Sequence, residues 1–114
     1  MSERIYKIMT ADEWAAARAA GVYEGSAHDR RDGFIHFSTA AQAAETAAKH
    51  FAGQAGLVVL AVDAAGLGTA LKWEPSRGGA LFPHLYGALP VSAVVAVDEL
   101  PLEPSGVHRF PAAF

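Results

Sequence analysis

The chain has no cysteine among its 114 residues. That removes disulfides, thiolate metal sites and cysteine nucleophiles together. It has no apolar run near the ~20 residues that a membrane-spanning helix needs. It also lacks a surplus of positive charge: 9 Lys and Arg stand against 12 Asp and Glu, for a net charge of −3. Broad, non-specific nucleic-acid binding needs a basic face, so this balance argues against it while leaving room for a small site for one nucleotide. The opening Met1-Ser2-Glu3-Arg4-Ile5-Tyr6-Lys7-Ile8 has no apolar signal-peptide core, which predicts a cytoplasmic protein with no membrane partner. Internal repeats and low-complexity linkers are missing too.

What is present suits one hydrophobic core. Of all residues 52% are hydrophobic, many of them alanine. The reading is a single globular domain over 1–102 and a proline-containing tail over 103–114, laid on the surface. Residues 3–8 read as a first strand. Thr10 and Glu13 have capping-box spacing and predict a helix to about Ala20, with Gly21 as a left-handed terminator and Trp14, Ala17 and Gly21 on one stripe. Val22 to Asp32 reads as a loop. A strand over 33–38 runs into Thr39 and Gln42, a second capping box opening a helix that ends near Phe51, with Ala44, Ala47, Ala48 and Phe51 as its buried stripe.

Leu57 to Val62 is an uninterrupted apolar run, the pattern of a central strand buried on both faces. Thr69–Trp73 and Val91–Val97 read as further strands, with a Gly- and Pro-rich loop at 75–83 that has room for a short strand. No crossover helices fit between these late strands, so they pair antiparallel or mixed. The fold class is therefore α+β: a small twisted mixed or antiparallel sheet with two main helices.

Four clusters carry potential chemistry. The first is Gly33-Phe34-Ile35-His36-Phe37-Ser38-Thr39. Strand alternation sends Ile35 and Phe37 to one face and Phe34, His36 and Ser38 to the other, beside a helix N-terminus. His36 is a ligand-orienting donor or general acid–base, or else a histidine satisfied by a backbone carbonyl. Ser38 lacks the Gly-x-Ser-x-Gly elbow of a nucleophile, so a role at the helix start is its stronger reading. The second cluster is Lys72-Trp73-Glu74-Pro75-Ser76-Arg77-Gly78-Gly79, with Trp73 facing the core and Glu74 the opposite side. Arg77 beside two glycines suits an anion, or a solvated turn. The third is Leu81-Phe82-Pro83-His84-Leu85-Tyr86-Gly87, where His84 is bonded in the core or lines a cleft, and Tyr86 stacks on a ring or packs. The fourth, Gly25 to Asp32, is a charged loop able to fold over a ligand. Lys7 is ambiguous. A metal site from His36, His84 and Glu74 has no helical ligand spacing, so no metal is assigned. His28, His50 and His108 read as surface residues.

Several stretches together closely resemble the bacterial domain-of-unknown-function family 952 over about residues 4–102. They are Ile5-Tyr6-Lys7-Ile8, Trp14, Gly21-x-Tyr23, Gly25-Ser26, Asp32 to Thr39, Gln42, Thr46-Ala47, Phe51-x-Gly53, Leu71 to Glu74 and Phe82 to Gly87. That family looks like a distant, minimal member of the ADP-ribosyltransferase-like fold group, on the side of the RNA 2′-phosphotransferases. The resemblance implies a pocket for a nucleotide or ADP-ribose-like small molecule, with NAD as the implied cofactor and ADP-ribosyl or phosphoryl transfer as the implied chemistry. His36-Phe37-Ser38 matches the His-x-Ser motif that helps hold ribose and nicotinamide there. Tyr6-Lys7-Ile8 departs from the first motif, having no histidine and no Gly-Thr after it. The resulting assignment is His36, Glu74 and His84 as catalytic residues, with Ser38, Thr39, Arg77, Tyr86 and Lys7 as ligand contacts. The alternative is a non-catalytic metabolite-binding or protein-interaction module.

Overall fold

The computed structural model describes residues 3–111. In chain order the elements are β1 (Arg4–Thr10), α1 (Ala11–Ala20), β2 (Val22–Tyr23), α2 (Ala27–Asp32), β3 (Ile35–His36), α3 (Ala40–His50), β4 (Leu57–Asp63), β5 (Leu71–Ser76), β6 (Ala80–Leu85), β7 (Leu89–Pro90) and β8 (Val94–Leu100). Short 3₁₀ segments join some of the later strands. The fold is α+β, and every strand pair is antiparallel. Instead of one small sheet there are three, ordered β1-β4-β8, β2-β7 and β3-β6-β5. The two main helices are α1 and α3, and the described residues add the six-residue α2.

The first sheet has an apolar layer on each face. Ile5 and Met9 of β1 share one face with Val58, Leu60 and Val62 of β4, and pack with Ala17, Tyr23, Ile35, Phe37, Leu85 and Leu89. Ile8, Leu57 and Val59 face the other way, onto Ala47 of α3 and Leu100. The unbroken apolar run of β4 follows from this, because a strand covered on both sides has no solvent face. Lys7 lies between Ile5 and Met9 and therefore shares their buried face. A cation there needs a buried counter-charge.

Both capping boxes form as the spacing predicts. Glu13 N donates to Thr10 Oγ1 at 3.0 Å and Thr10 N to Glu13 Oε1 at 2.9 Å. Gly21 takes the left-handed conformation (φ 82) that ends α1. On α3 Ala47 is buried and Phe51 packs beside it, as expected, but the other buried position is Ala43, while Ala44 and Ala48 are exposed. The segment 22–32 is no loop. Val22 and Tyr23 pair with Pro90 and Leu89, and Ser26 with Asp29 forms a third capping box that opens α2.

Residues 37 and 38 join the third sheet to the first. Tyr6 and Ser38 exchange backbone hydrogen bonds at 2.8 and 2.9 Å, and Phe37 N donates to Pro83 O at 3.0 Å. Of the expected strand at 33–38 only Ile35–His36 pairs regularly, because the chain then crosses from β6 to β1. The Gly- and Pro-rich stretch at 75–83 is the hairpin of β5 and β6, turning at Gly78 and Gly79 with φ 73 and 87. The C-terminal segment is a tail only in part: Leu102 bridges His108, and His108 is buried, its Nε2 bonded to the Gln54 carbonyl at 2.7 Å. That corrects the surface reading of His108.

A candidate ligand-binding cleft built on Asp29

Asp29 is the centre of the site. It sits one turn into α2, almost fully buried, beneath the Lys7 side chain. Lys7 Nζ donates to Asp29 Oδ2 at 2.9 Å and Oδ1 at 3.1 Å. Ser26 N donates to Oδ2 at 2.9 Å, and His36 N to Oδ1 at 3.1 Å. His36 Nδ1 lies 2.6 Å from the same Oδ1. Burial alone would raise the carboxyl's pKa. The His36 bond, the Lys7 charge and the Ser26 amide outweigh burial and hold it well below the usual carboxylate range. Burial pushes the Lys7 ammonium down, and Asp29 pushes back.

Gly25 makes this possible. Its φ is +104, and a Cβ there would lie 2.9 Å from Asp29 Cβ and 3.5 Å from Ile35 Cγ1. Gly25→Ala should therefore cost about 2–4 kcal/mol, from left-handed strain and from pushing α2 away. Urea unfolding measures this; a change under 0.5 kcal/mol would mean that α2 shifts freely.

A second histidine stands beside the first. His36 and His84 are cross-strand partners in β3 and β6, so their side chains share a face, with ring centroids 5.6 Å apart. His84 Nδ1 lies 2.8 Å from Glu74 Oε1, which also accepts from the Tyr86 hydroxyl at 2.7 Å. The Tyr86 and His84 hydrogen bonds lower the Glu74 carboxyl below its ordinary value, and the same bond raises the Tyr86 phenol. Phe34 stacks on the His84 ring at 4.1 Å between centroids. Two imidazoles are thus each held by a carboxylate at Nδ1, which orients the ring and aims Nε2 elsewhere.

His36, His84, Lys7 and Asp29 border a cleft of about 640 Å³. The third sheet contributes the face carrying His36, His84, Phe82 and Ser76, and α3 and its end contribute Thr46, Lys49, His50 and Phe51. The floor is Lys7 and Asp29, and α2 supplies His28 and Asp32. Gln42 Nε2 donates to the Leu81 carbonyl at 2.8 Å, tying α3 to β6 across the gap. Tyr23 also lines the cleft, and burial pushes the pKa of its hydroxyl up.

Of the residues singled out in the sequence, His36, His84, Ser38 and Lys7 line this cleft. Ser38 Oγ is bonded to Thr46 Oγ1 at 2.8 Å. Thr39 spends its hydroxyl on the Gln42 amide. Glu74 and Tyr86 lie behind His84 rather than in the cleft lining, so Glu74 acts on the ring and not on the cleft. Glu74 does share a face with Phe82 and His84, opposite Trp73. Trp73 is on the side of Leu71 and Leu85 but stays 36% exposed, because β5 is an edge strand. The Arg77 side chain lies outside the described residues.

Sequence reasoning missed Asp29, Asp32 and His28 as site residues. The signal was available: Ser26-Ala27-His28-Asp29 has capping-box spacing with aspartate at the third helical position, and helical spacing then puts His28 over Asp32.

An α+β domain of three antiparallel sheets, holding a histidine-lined cleft on one buried aspartate, is the class that fold and site define. The chain belongs to the family described as Protein of unknown function (DUF952), which matches residues 8–97. It is similar to the crystal structure of protein CC0527 from Caulobacter crescentus, with 58% identity and a TM-score of 0.90 over 93% of each chain. The solution NMR structure of CC0527 is also similar, with 60% identity and a TM-score of 0.82 over 91% of this chain and 90% of that one. No curated protein matches the chain. Among the described residues no helix is long and apolar enough to cross a membrane.

Proposed function

We propose that the cleft binds a small phosphorylated ligand of the nucleotide or ADP-ribose class, and that His84 is its proton-transfer group. The observation that carries this reading is the pair of adjacent imidazoles, His36 and His84, each anchored at Nδ1 by its own carboxylate. His84 is buried and lines the cleft, and its Nε2 has no hydrogen bond among the described residues. A ring so held presents one nitrogen to a ligand oxygen in a fixed direction, the requirement for general acid–base work. Lys49 and His50 in the lining suit phosphate oxygens, and a cleft of about 640 Å³ falls within the ~300–1,000 Å³ usual for ligand sites.

The ligand class follows the ADP-ribosyltransferase-like resemblance; the chemistry does not follow it as closely. Glu74 is engaged by His84 and Tyr86, and the stretch Tyr6-Lys7-Ile8, where the resemblance would put the first motif, has no histidine. Proton transfer at a phosphoryl centre therefore fits these residues better than stabilisation of a ribosyl cation. A non-catalytic binding module is the second reading, favoured by His36, whose two ring nitrogens both face carboxylates.

A thermal-shift panel with NAD, ADP-ribose, nicotinamide and a 2′-phosphorylated nucleotide tests this. A ligand at ~100 times its Kd should add about 2.7 kcal/mol of stability. His84→Ala should abolish turnover of whichever compound is transformed, while leaving its binding within tenfold. If none of the four shifts the melting temperature at millimolar concentration, the ligand class is wrong.

A further inference from the structure

We propose that His28, Asp32 and His36 form a binding site for a divalent transition-metal ion, with zinc the best match. The proposal goes beyond the cleft's ligand and does not depend on it. The ligand atoms of the three residues all lie within 4.8 Å of one another. His28 and Asp32 are four residues apart on α2 and so share a face. Gly33, with φ 86, turns the chain so that His36 returns to the same spot. Both imidazoles aim Nε2 at one atom, Asp32 Oδ2, at 2.9 Å from His36 and 3.5 Å from His28, with ring centroids 4.5 Å apart. Ligand atoms around a tetrahedral zinc, each at ~2.0–2.1 Å, stand roughly 3.3 Å apart. The exposed side chains of His28 and Asp32 need move little to reach that.

The surroundings match what a metal-bound imidazole needs. His36 Nδ1 is held at 2.6 Å by Asp29, itself locked by Lys7 and the Ser26 amide. A carboxylate behind a ligating histidine fixes ring orientation and raises its basicity. With Nδ1 turned to Asp29, the His36 ring has its Nε2 directed at Asp32, where a metal ion would meet it. Two imidazoles and one carboxylate suit zinc and its neighbours, whereas calcium and magnesium take oxygen ligands.

Arg31 is the competitor. Its Nη2 lies 2.6 Å from His28 Nδ1 and its Nε 3.8 Å from Asp32 Oδ1, so it neutralises this corner when no metal does. A metal on His28 Nε2 leaves the ring proton on Nδ1 and releases Arg31, whose side chain is well exposed.

The test is isothermal titration of untagged, chelator-treated protein with ZnCl2, followed in parallel by the ring nitrogen signals of the histidines in NMR. The expected result is one zinc per chain, with the largest changes at His28 and His36. His28→Gln and Asp32→Asn sit on exposed positions, so each should keep the native spectrum; each is expected to weaken zinc at least tenfold. Arg31→Ala should bind at least as tightly as the native chain. No saturable binding at 1 mM zinc would overturn the proposal. So would affinity unchanged in both H28Q and D32N, or lost in R31A.

Discussion

Asp29→Ala is expected to destabilise the fold by about 3–5 kcal/mol, the usual cost of removing one partner of a buried ion pair. For a domain of this size that lowers the melting temperature by roughly 15–30 °C. The cause is the group left behind. Lys7 points into a layer of Ile5, Met9 and Leu60, and Asp29 is its only hydrogen-bond partner among the described residues. The same substitution removes the acceptor for the Ser26 and His36 amides, so the start of α2 and the entry to β3 loosen together. Asp29→Asn keeps the volume but not the charge and should lose a similar amount. Lys7→Met should cost less, because Asp29 keeps His36 and the Ser26 amide. Combining Lys7→Met with Asp29→Leu should recover only the part of the loss that comes from the stranded Lys7 charge, because the Ser26 and His36 amides still lack their acceptor. A double variant no more stable than Asp29→Ala would show that the loss comes from α2 and not from a stranded charge.

The pH dependence follows with a definite sign. The Asp29 carboxyl titrates lower in the folded chain than in the unfolded one. Its contribution is fully present above the unfolded value, about 3.9, and is lost as pH falls below it toward the folded value. Acid unfolding should therefore begin below about pH 4, and Asp29→Asn should flatten the curve in that range. Urea midpoints measured from pH 6 to pH 2 report it.

Leu60→Ala is the second large effect, expected at about 3–5 kcal/mol. Leu60 is fully buried and lies in β4, the central strand of the first sheet, directly opposite Lys7 in β1 and Val97 in β8. The void would open beside the Lys7–Asp29 pair, where strands hydrogen-bonded on both sides resist collapse. Guanidinium unfolding should show an unchanged slope and a lowered midpoint. A loss under 1 kcal/mol would mean that the layer repacks around the gap.

Much of the fold was legible because local rules and tertiary packing agree. Thr10 with Glu13, Thr39 with Gln42 and Gly21 cap helices where their chemistry predicts, and the apolar run of β4 marks the strand covered on both faces. The misreadings have physical causes. Helix α2 is six residues long with no apolar stripe, and it is held by its capping box and by Asp29 rather than by burial of a hydrophobic face. Periodicity cannot find such a helix, so the site's central residue was hidden in a charged stretch read as loop. Strand β6 carries Pro83 and His84, yet it forms the middle of its sheet. Pro83 has no amide to donate, but its carbonyl accepts from Phe37, so the missing donor costs little. His36 and His84 could each be picked out as candidates from the sequence. Their pairing could not, because residues 48 positions apart meet only through the β3–β6 register.

Whether the cleft over Asp29 takes a ligand is read from a ¹H–¹⁵N NMR titration of the native chain with ADP-ribose, repeated with the 2′-phosphorylated nucleotide. A ligand in the cleft should give saturable shifts confined to Ser26, His36, Ser38, Thr46, Lys49 and His84, which line one space. His84→Ala should leave the pattern at the other residues in place. Saturable shifts centred elsewhere, such as on the exposed face of β8, or no shifts at millimolar ligand, would contradict a ligand site in the cleft.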